Sequence, residues 1–133
     1  MYRDFIPYEQ ALALKDLEFD EPCLSAYRNT DGEQLLMGFS MWKNFTIHDN
    51  HDGFAAAPLY QQAFRWFREK HKLFSKIELE DVELNLFSYE ILQDKKGKYN
   101  NELYIDMDFK TYEEAELACL IKLIEIQKEL NVK

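Results

Sequence analysis

The sequence predicts an α+β fold: an antiparallel sheet of about four strands with three helices, in the order α-β-β-α-β-β-α. Three observations lead there. Apolar residues recur at helical spacing in three segments, near residues 7–17, 58–70 and 111–130. Two intervening stretches alternate apolar and polar residues around turn-forming Asn, Asp and Gly. Hydrophobic residues make up 47% of a 133-residue chain, enough apolar surface for one core, so a single domain spanning residues 1–133 is expected.

The elements follow in order. "PYEQALALKDLEF" places Pro7 where a first helical turn tolerates it and continues with strong helix formers, predicting a helix from Pro7 to Leu17. Tyr8, Ala11, Leu12 and Lys15 share one side, with Leu14 and Leu17 beside it, and Asp20, Glu21 and Pro22 end the segment. "CLSAYRNTDGEQLLMGFSMW" predicts a hairpin around Asn29-Thr30-Asp31-Gly32, with Gly32 supplying a positive φ. On its second arm, Leu35, Met37, Phe39 and Met41 fall on one face and Leu36, Gly38, Ser40 and Trp42 on the other. Both faces are fairly apolar, so this arm is expected to be central or covered twice. "APLYQQAFRWFREKHKLF" predicts a second helix over Pro58–Lys70, with Leu59, Tyr60, Ala63, Phe64 and Phe67 inward and Trp66 at the boundary.

"KIELEDVELNLFSYEILQ" loses its alternation at Glu80-Asp81 and again at Leu86-Phe87-Ser88, which implies a bulge or a break. "DKKGKYNN" has turn composition. "ELYIDMDF" then alternates cleanly, predicting a strand with Leu103, Ile105, Met107 and Phe109 inward and Tyr104, Asp106 and Asp108 outward. The last segment, "TYEEAELACLIKLIEIQKEL", opens with Thr111 and Glu114 in capping-box spacing. Its helix carries one apolar stripe of Leu117, Leu120, Ile121 and Ile124 and a second of Cys119, Leu123, Ile126 and Leu130. The two stripes are neighbours and leave only Glu114, Lys122, Glu125 and Glu129 as a narrow polar strip. One sheet does not cover that much apolar surface. The second stripe is expected to meet another helix or another copy of the chain, with Trp66, Leu123, Ile126 and Leu130 as interface residues.

Charge narrows the function classes. With 16 Lys and Arg against 25 Asp and Glu, the formal net charge is −9, so a phosphate backbone is repelled by the average surface and direct nucleic-acid binding is not expected. No export signal is recognisable and no apolar run approaches the roughly 18 residues that span a bilayer, so no membrane contact is expected. Cys23 and Cys119 lack CxxC spacing, and a reduced, cytoplasmic protein with buried thiols is the simplest account.

Several groupings could carry chemistry. "IHDNHDGF" brings His48 and His51 together with Asp49 and Asp52, donor types that zinc prefers. Asn50 and Gly53 break helix there, so no geometry converges the two rings, and a polar turn running to Pro58 explains the composition without a metal. Asp106 and Asp108 place two carboxylates on one side of a strand, as some magnesium-dependent nucleases do, with Glu83 or Lys110 as a third group. Acids on the wet face of a half-buried strand are also what ordinary patterning produces. No serine lies in a GxSxG turn, neither cysteine has a local basic partner, and there is no P-loop or GxGxxG, so no catalytic residue, cofactor or metal is assigned. "FRWF", Phe64 to Phe67, could stack bases beside Arg65 and Arg68, but its spacing is that of a helix core.

Three segments, "YEQALALKDLEFDEPC", "APLYQQAFRWFREKH" and "YEEAELACLIKLIEIQKEL", resemble recurring pieces of small uncharacterised proteins encoded by phages, prophages and mobile elements of Bacteroides-type bacteria. The resemblance covers somewhat over a third of the chain and brings no assigned activity or site residue. It implies a bacterial cytoplasmic setting and a phage-related accessory role. The chain departs from the pattern at Glu18, where Gly is expected before Phe19. The function expected is a non-enzymatic binding or assembly module, self-associating or holding another protein. The alternatives are a metal-dependent hydrolase or nuclease built on the His48/His51 loop, and an acidic inhibitor of a DNA-processing enzyme whose carboxylates imitate a phosphate array.

Overall fold

The computed structural model describes residues 4–30, 33–37, 54–94 and 101–132. The elements are α1 (Tyr8–Asp16), β1 (Ser25–Thr30), β2 (Glu33–Met37), β3 (Phe54–Ala57), α2 (Tyr60–His71), β4 (Leu73–Asp81), β5 (Leu86–Gln93), β6 (Glu102–Phe109) and α3 (Tyr112–Val132). The class is α+β as expected, but the order is α-β-β-β-α-β-β-β-α. The strands form two three-stranded antiparallel sheets, β2-β1-β3 and β4-β5-β6. The chain divides into two compact units, Met1–Gln62 and Ala63–Lys133, each containing one sheet.

In the first unit, α1 ends in a left-handed turn at Glu18. The Phe19 N–H donates to Leu14 O at 2.9 Å and the Glu18 N–H to Lys15 O at 3.0 Å. This is the paired arrangement that closes a helix through one left-handed residue, with buried Phe19 and Leu14 as its apolar clasp. Glu18 is that residue, at φ 68, where a Cβ costs roughly 1–2 kcal/mol. Glu18→Gly relieves the cost but adds backbone entropy to the unfolded chain. A net stabilisation of about 0.5–1 kcal/mol is expected, read as a raised urea midpoint with unchanged slope.

The strand β3 replaces the turn expected between the polar loop and Pro58. Three consecutive alanines carry little strand propensity, so nothing local announces them. What selects the strand is packing: Ala55, Ala56 and Ala57 are buried, and α1 lies against them, an approach that larger side chains would block. Lys15 Nζ donates to Phe54 O at 2.6 Å, tying the helix to the start of the strand. Pro58 then precedes α2 instead of opening it: its carbonyl accepts from Ile6 N–H at 3.0 Å, and Leu59 bridges Phe5. The hairpin of β1 and β2 forms with Thr30 opposite Glu33. It is β1, however, that is central, paired on both sides. Among the described residues β2 lies at the sheet edge with Leu35 exposed; the rest of the arm expected to be central or covered twice, Gly38 to Trp42, lies outside the described residues.

In the second unit, the loss of phase at Glu80-Asp81 is a bulge on β4, where Leu79 and Asp81 pair with the adjacent Phe87 and Leu86, whereas Leu86-Phe87-Ser88 opens β5 without a bulge of its own. The second register shift, opposite Phe87 and Tyr89, has its extra residue on β6, where Phe109 and Asp106 pair with them. The chain also turns between β4 and β5 over residues 82–85, where Leu84 N–H donates to Asp81 Oδ1 at 3.0 Å and Asn85 takes φ 54, a conformation asparagine tolerates. The start of α3 follows the capping expectation with one change. Glu114 N–H donates to Thr111 Oγ1 at 3.0 Å, but the Glu114 carboxylate accepts from the Lys110 N–H, one residue before the position a capping box would use.

Candidate functional site: the open face of the second sheet

One face of the β4-β5-β6 sheet is covered by α3. Three contacts mark which side that is. Cys119 lies near enough to Ser75 for the serine hydroxyl to act on its thiol, Lys122 Nζ lies 5.4 Å from the Tyr104 ring centroid, and Tyr112 meets Phe87 edge-on at 5.9 Å. The pairing Ser75–Ile91–Tyr104 runs across the three strands on this side, with Ile91 fully buried.

It follows that β6 is turned over relative to the sequence expectation. Tyr104 and Asp106 belong to the helix side, and Leu103, Ile105 and Met107 face away from it, 54%, 51% and 50% exposed. The physical reason is that side chains alternate with period two, so alternation alone fixes which residues travel together and not which set is covered. Here β5 sets the register, and β6 has only β5 to follow. Tyr104 suits the inner rim because its ring is covered while its O–H donates to Glu102 Oε2 at 2.6 Å. Phe109 alone of the expected inward set is inside. A bulge at Asp108, with φ 68, shifts the phase by one residue, so Phe109 pairs with Phe87 and stacks on Tyr89 at 5.8 Å.

The uncovered face therefore presents an apolar row across the strands, Phe74–Leu92–Leu103, and an apolar column along β6, Leu103–Ile105–Met107. All five side chains are exposed. In the angle between row and column lies the pair Lys76–Glu90, at 3.2 Å, with Glu78 on the same ammonium at 2.8 Å. A shallow concavity of about 280 Å³ opens there, lined by Phe74, Ser75, Lys76, Glu90, Leu92 and Leu103.

The expected interface residues are placed elsewhere. Trp66, Leu123 and Ile126 are inside the protomer, at 2%, 0% and 3% exposure, and only Leu130 is open, at 41%. Most of the apolar surface of α3 is covered within the chain, where Ala115, Cys119, Leu120, Leu123, Ile124, Ile126 and Gln127 form a buried arc about half the helix circumference wide, while Ile121 and Leu130 beside that arc are exposed. Trp66 is in the core while Phe64 is only half-buried, and the Trp66 ring packs edge-on against Phe67 at 5.0 Å and His71 at 4.7 Å.

His48, His51, Asp49 and Asp52 lie outside the described residues. Asp106 and Asp108 do not act as an aligned pair: Asp106 Oδ1 accepts from the Met107 N–H at 2.9 Å, and the bulge turns Asp108 out of the regular strand, its N–H donating to Glu80 Oε2 at 3.3 Å. Among the described residues no three His, Cys, Asp or Glu side chains gather as metal ligands. Both cysteines are free and buried. Burial pushes each thiol up to about 12, Cys23 with a further push from Glu21 and Cys119 with Ser75 acting in the opposite sense. Neither is a thiolate at neutral pH.

One titratable group has a consequence for stability. His71 ends α2 against Trp66 and Phe67, and burial, followed by the charge of Lys70, holds its pKa below the ordinary 6.5. The unfolded chain therefore takes up this proton first as pH falls through about 6.5, while the folded protein still holds the ring neutral. Stability is expected to fall with pH below that point and to level only below the folded value. Urea midpoints between pH 7.5 and 5 should show the decline in the native protein and a shallower one in His71→Phe.

No protein-family model matches the chain, and searches of curated proteins and of solved structures returned no match. No helix among the described residues is long and apolar enough to cross a membrane.

Proposed function

We propose that this protein is a non-enzymatic binding module and that it holds its partner on the open face of the second sheet. The observation that supports this is the outward set of β6: Leu103, Ile105 and Met107, joined by Phe74 and Leu92, form a contiguous exposed apolar surface over three strands. Scattered exposed apolar residues need no explanation, but a contiguous patch on an ordered sheet is the usual mark of an interaction site. The two buried cysteines fit the same reading, because their thiols are protonated and inaccessible and so are poor nucleophiles. The bacterial cytoplasmic, phage-related setting is proposed on the sequence resemblance.

The test is a parallel affinity purification from the organism that encodes the protein, with the native chain and with Leu103→Glu/Ile105→Glu as baits. A protein retained by the native chain and lost with the double variant supports the reading. An identical set of bound proteins on both baits contradicts it. Calorimetric titration with zinc, manganese and magnesium addresses the metal-dependent alternative: a stoichiometric heat lost with His48→Ala/His51→Ala would replace the binding-module reading by an enzymatic one.

A further inference from the structure

We infer that the occupant of this face is a basic amphipathic helix of another protein, and the inference rests on the binding-module reading above. Among the described residues the ionisable groups on the face are Lys76, Glu78 and Glu90, and the Lys76 ammonium is engaged by both carboxylates, at 2.8 and 3.2 Å. Glu80 adds another carboxylate at the bulged end, where it accepts from the Asp108 N–H. Among the described residues, then, the apolar row and column are bordered by net negative charge, on a chain whose formal net charge is −9.

That border discriminates between occupants. A second copy docking by the same face would bring two acidic borders together and leave like charges partly desolvated, which is a strongly unfavourable juxtaposition. An anionic lipid surface or a nucleic-acid backbone is repelled for the same reason. A segment with an apolar stripe flanked by Lys or Arg meets the apolar row and column with its stripe and the carboxylates with its flanks.

Dimension favours a helix. The column Leu103–Ile105–Met107 spans roughly 13 Å at two residues per step along a strand, the length of about nine helical residues. The row Phe74–Leu92–Leu103 crosses two strand spacings, roughly 10 Å, close to the diameter of a helix with its side chains. The shallow concavity beside Phe74, Leu92 and Leu103 accepts one protruding apolar side chain, and residues at i, i+4 and i+7 on such a helix would follow the column. The same sheet already receives a helix, α3, on its other face.

The experiment uses the full chain and two labelled 14-residue helical peptides with the same leucine stripe, one with Lys and Arg on the flanks and one with Glu. Binding is followed by fluorescence anisotropy at low and moderate salt. The basic peptide is expected to bind at least tenfold more tightly than the acidic one, to weaken as salt is raised, and to lose at least tenfold in affinity with Leu103→Glu/Ile105→Glu. Glu78→Lys/Glu90→Lys, which leaves the apolar residues in place, is expected to reverse the preference between the peptides. Equal binding of the two peptides, a preference for the acidic one, or no detectable binding of either would overturn the inference. So would a dimer in sedimentation, or adsorption to anionic vesicles, that the double glutamate variant abolishes. Those last two outcomes would leave the open face as the docking surface and change only its occupant. Partner capture insensitive to Leu103→Glu/Ile105→Glu would instead remove the docking surface itself.

Discussion

Leu123→Ala is expected to destabilise the second unit by about 3 kcal/mol, within the range for truncating a fully buried leucine. Leu123 has no exposed surface and lies in the middle of the buried arc of α3. Removing its isopropyl group forfeits the transfer energy of the lost carbons and leaves a cavity that two rigid layers cannot close. A residue serving mainly as an interface anchor would behave differently, since its truncation would alter association and leave the isolated chain nearly as stable. Urea denaturation at two protein concentrations separates the cases: a lowered midpoint independent of concentration is the expected result.

The second large effect concerns binding. Leu103→Glu/Ile105→Glu is expected to cost less than about 1 kcal/mol in stability, because both side chains already stand in water and the change touches mainly strand propensity. Its expected cost in partner affinity is a hundredfold or more, from two lost apolar contacts and two carboxylates desolvated against an apolar stripe. Titrating the recovered partner against both proteins measures the loss, and a far-ultraviolet circular dichroism spectrum unchanged from the native one shows that folding is not its cause. The assignment of β6 requires both halves of this result. If Leu103 and Ile105 were core residues, two buried carboxylates would unfold the domain instead.

These two expectations contrast because the sequence was legible at some positions and silent at others. Where the determinant is local, it could be read. Thr111 caps α3 as its spacing to Glu114 requires, and the loss of phase at Glu80-Asp81 is a bulge on β4 that leads into the turn at residues 82–85. Where the determinant is tertiary, it could not. The alanines of β3 become a strand because α1 lies against them. The alternation of β6 was correct as a pattern, but only pairing with β5 decides that Tyr104 is covered and Leu103 is not. Trp66 is in the core although its position on the helix lies at the edge of the apolar stripe, an angular offset a large ring spans easily. Most of the excess apolar surface on α3 is covered inside the chain, with Ile121 and Leu130 left exposed, and the larger open apolar surface is on the sheet. A signal for this did exist: Phe74 and Leu92 share a strand face with Lys76, Glu78 and Glu90, a mixed face that no buried layer would carry unpaired.

The central claim is the orientation of β6, and thiol labelling tests it most directly. Cys23 and Cys119 are buried, with thiols held near 12, so the native chain supplies an unreactive background. Introduced one at a time, Ile105→Cys and Tyr104→Cys report on the two sides of the strand. With a neutral maleimide at pH 7, Ile105→Cys should take up one label per chain at a rate within about tenfold of the unfolded protein, while the native chain takes up none over the same interval. An Ile105→Cys thiol as slow as the native cysteines, beside a rapidly labelled Tyr104→Cys, would place Leu103, Ile105 and Met107 in the core and remove the proposed binding face.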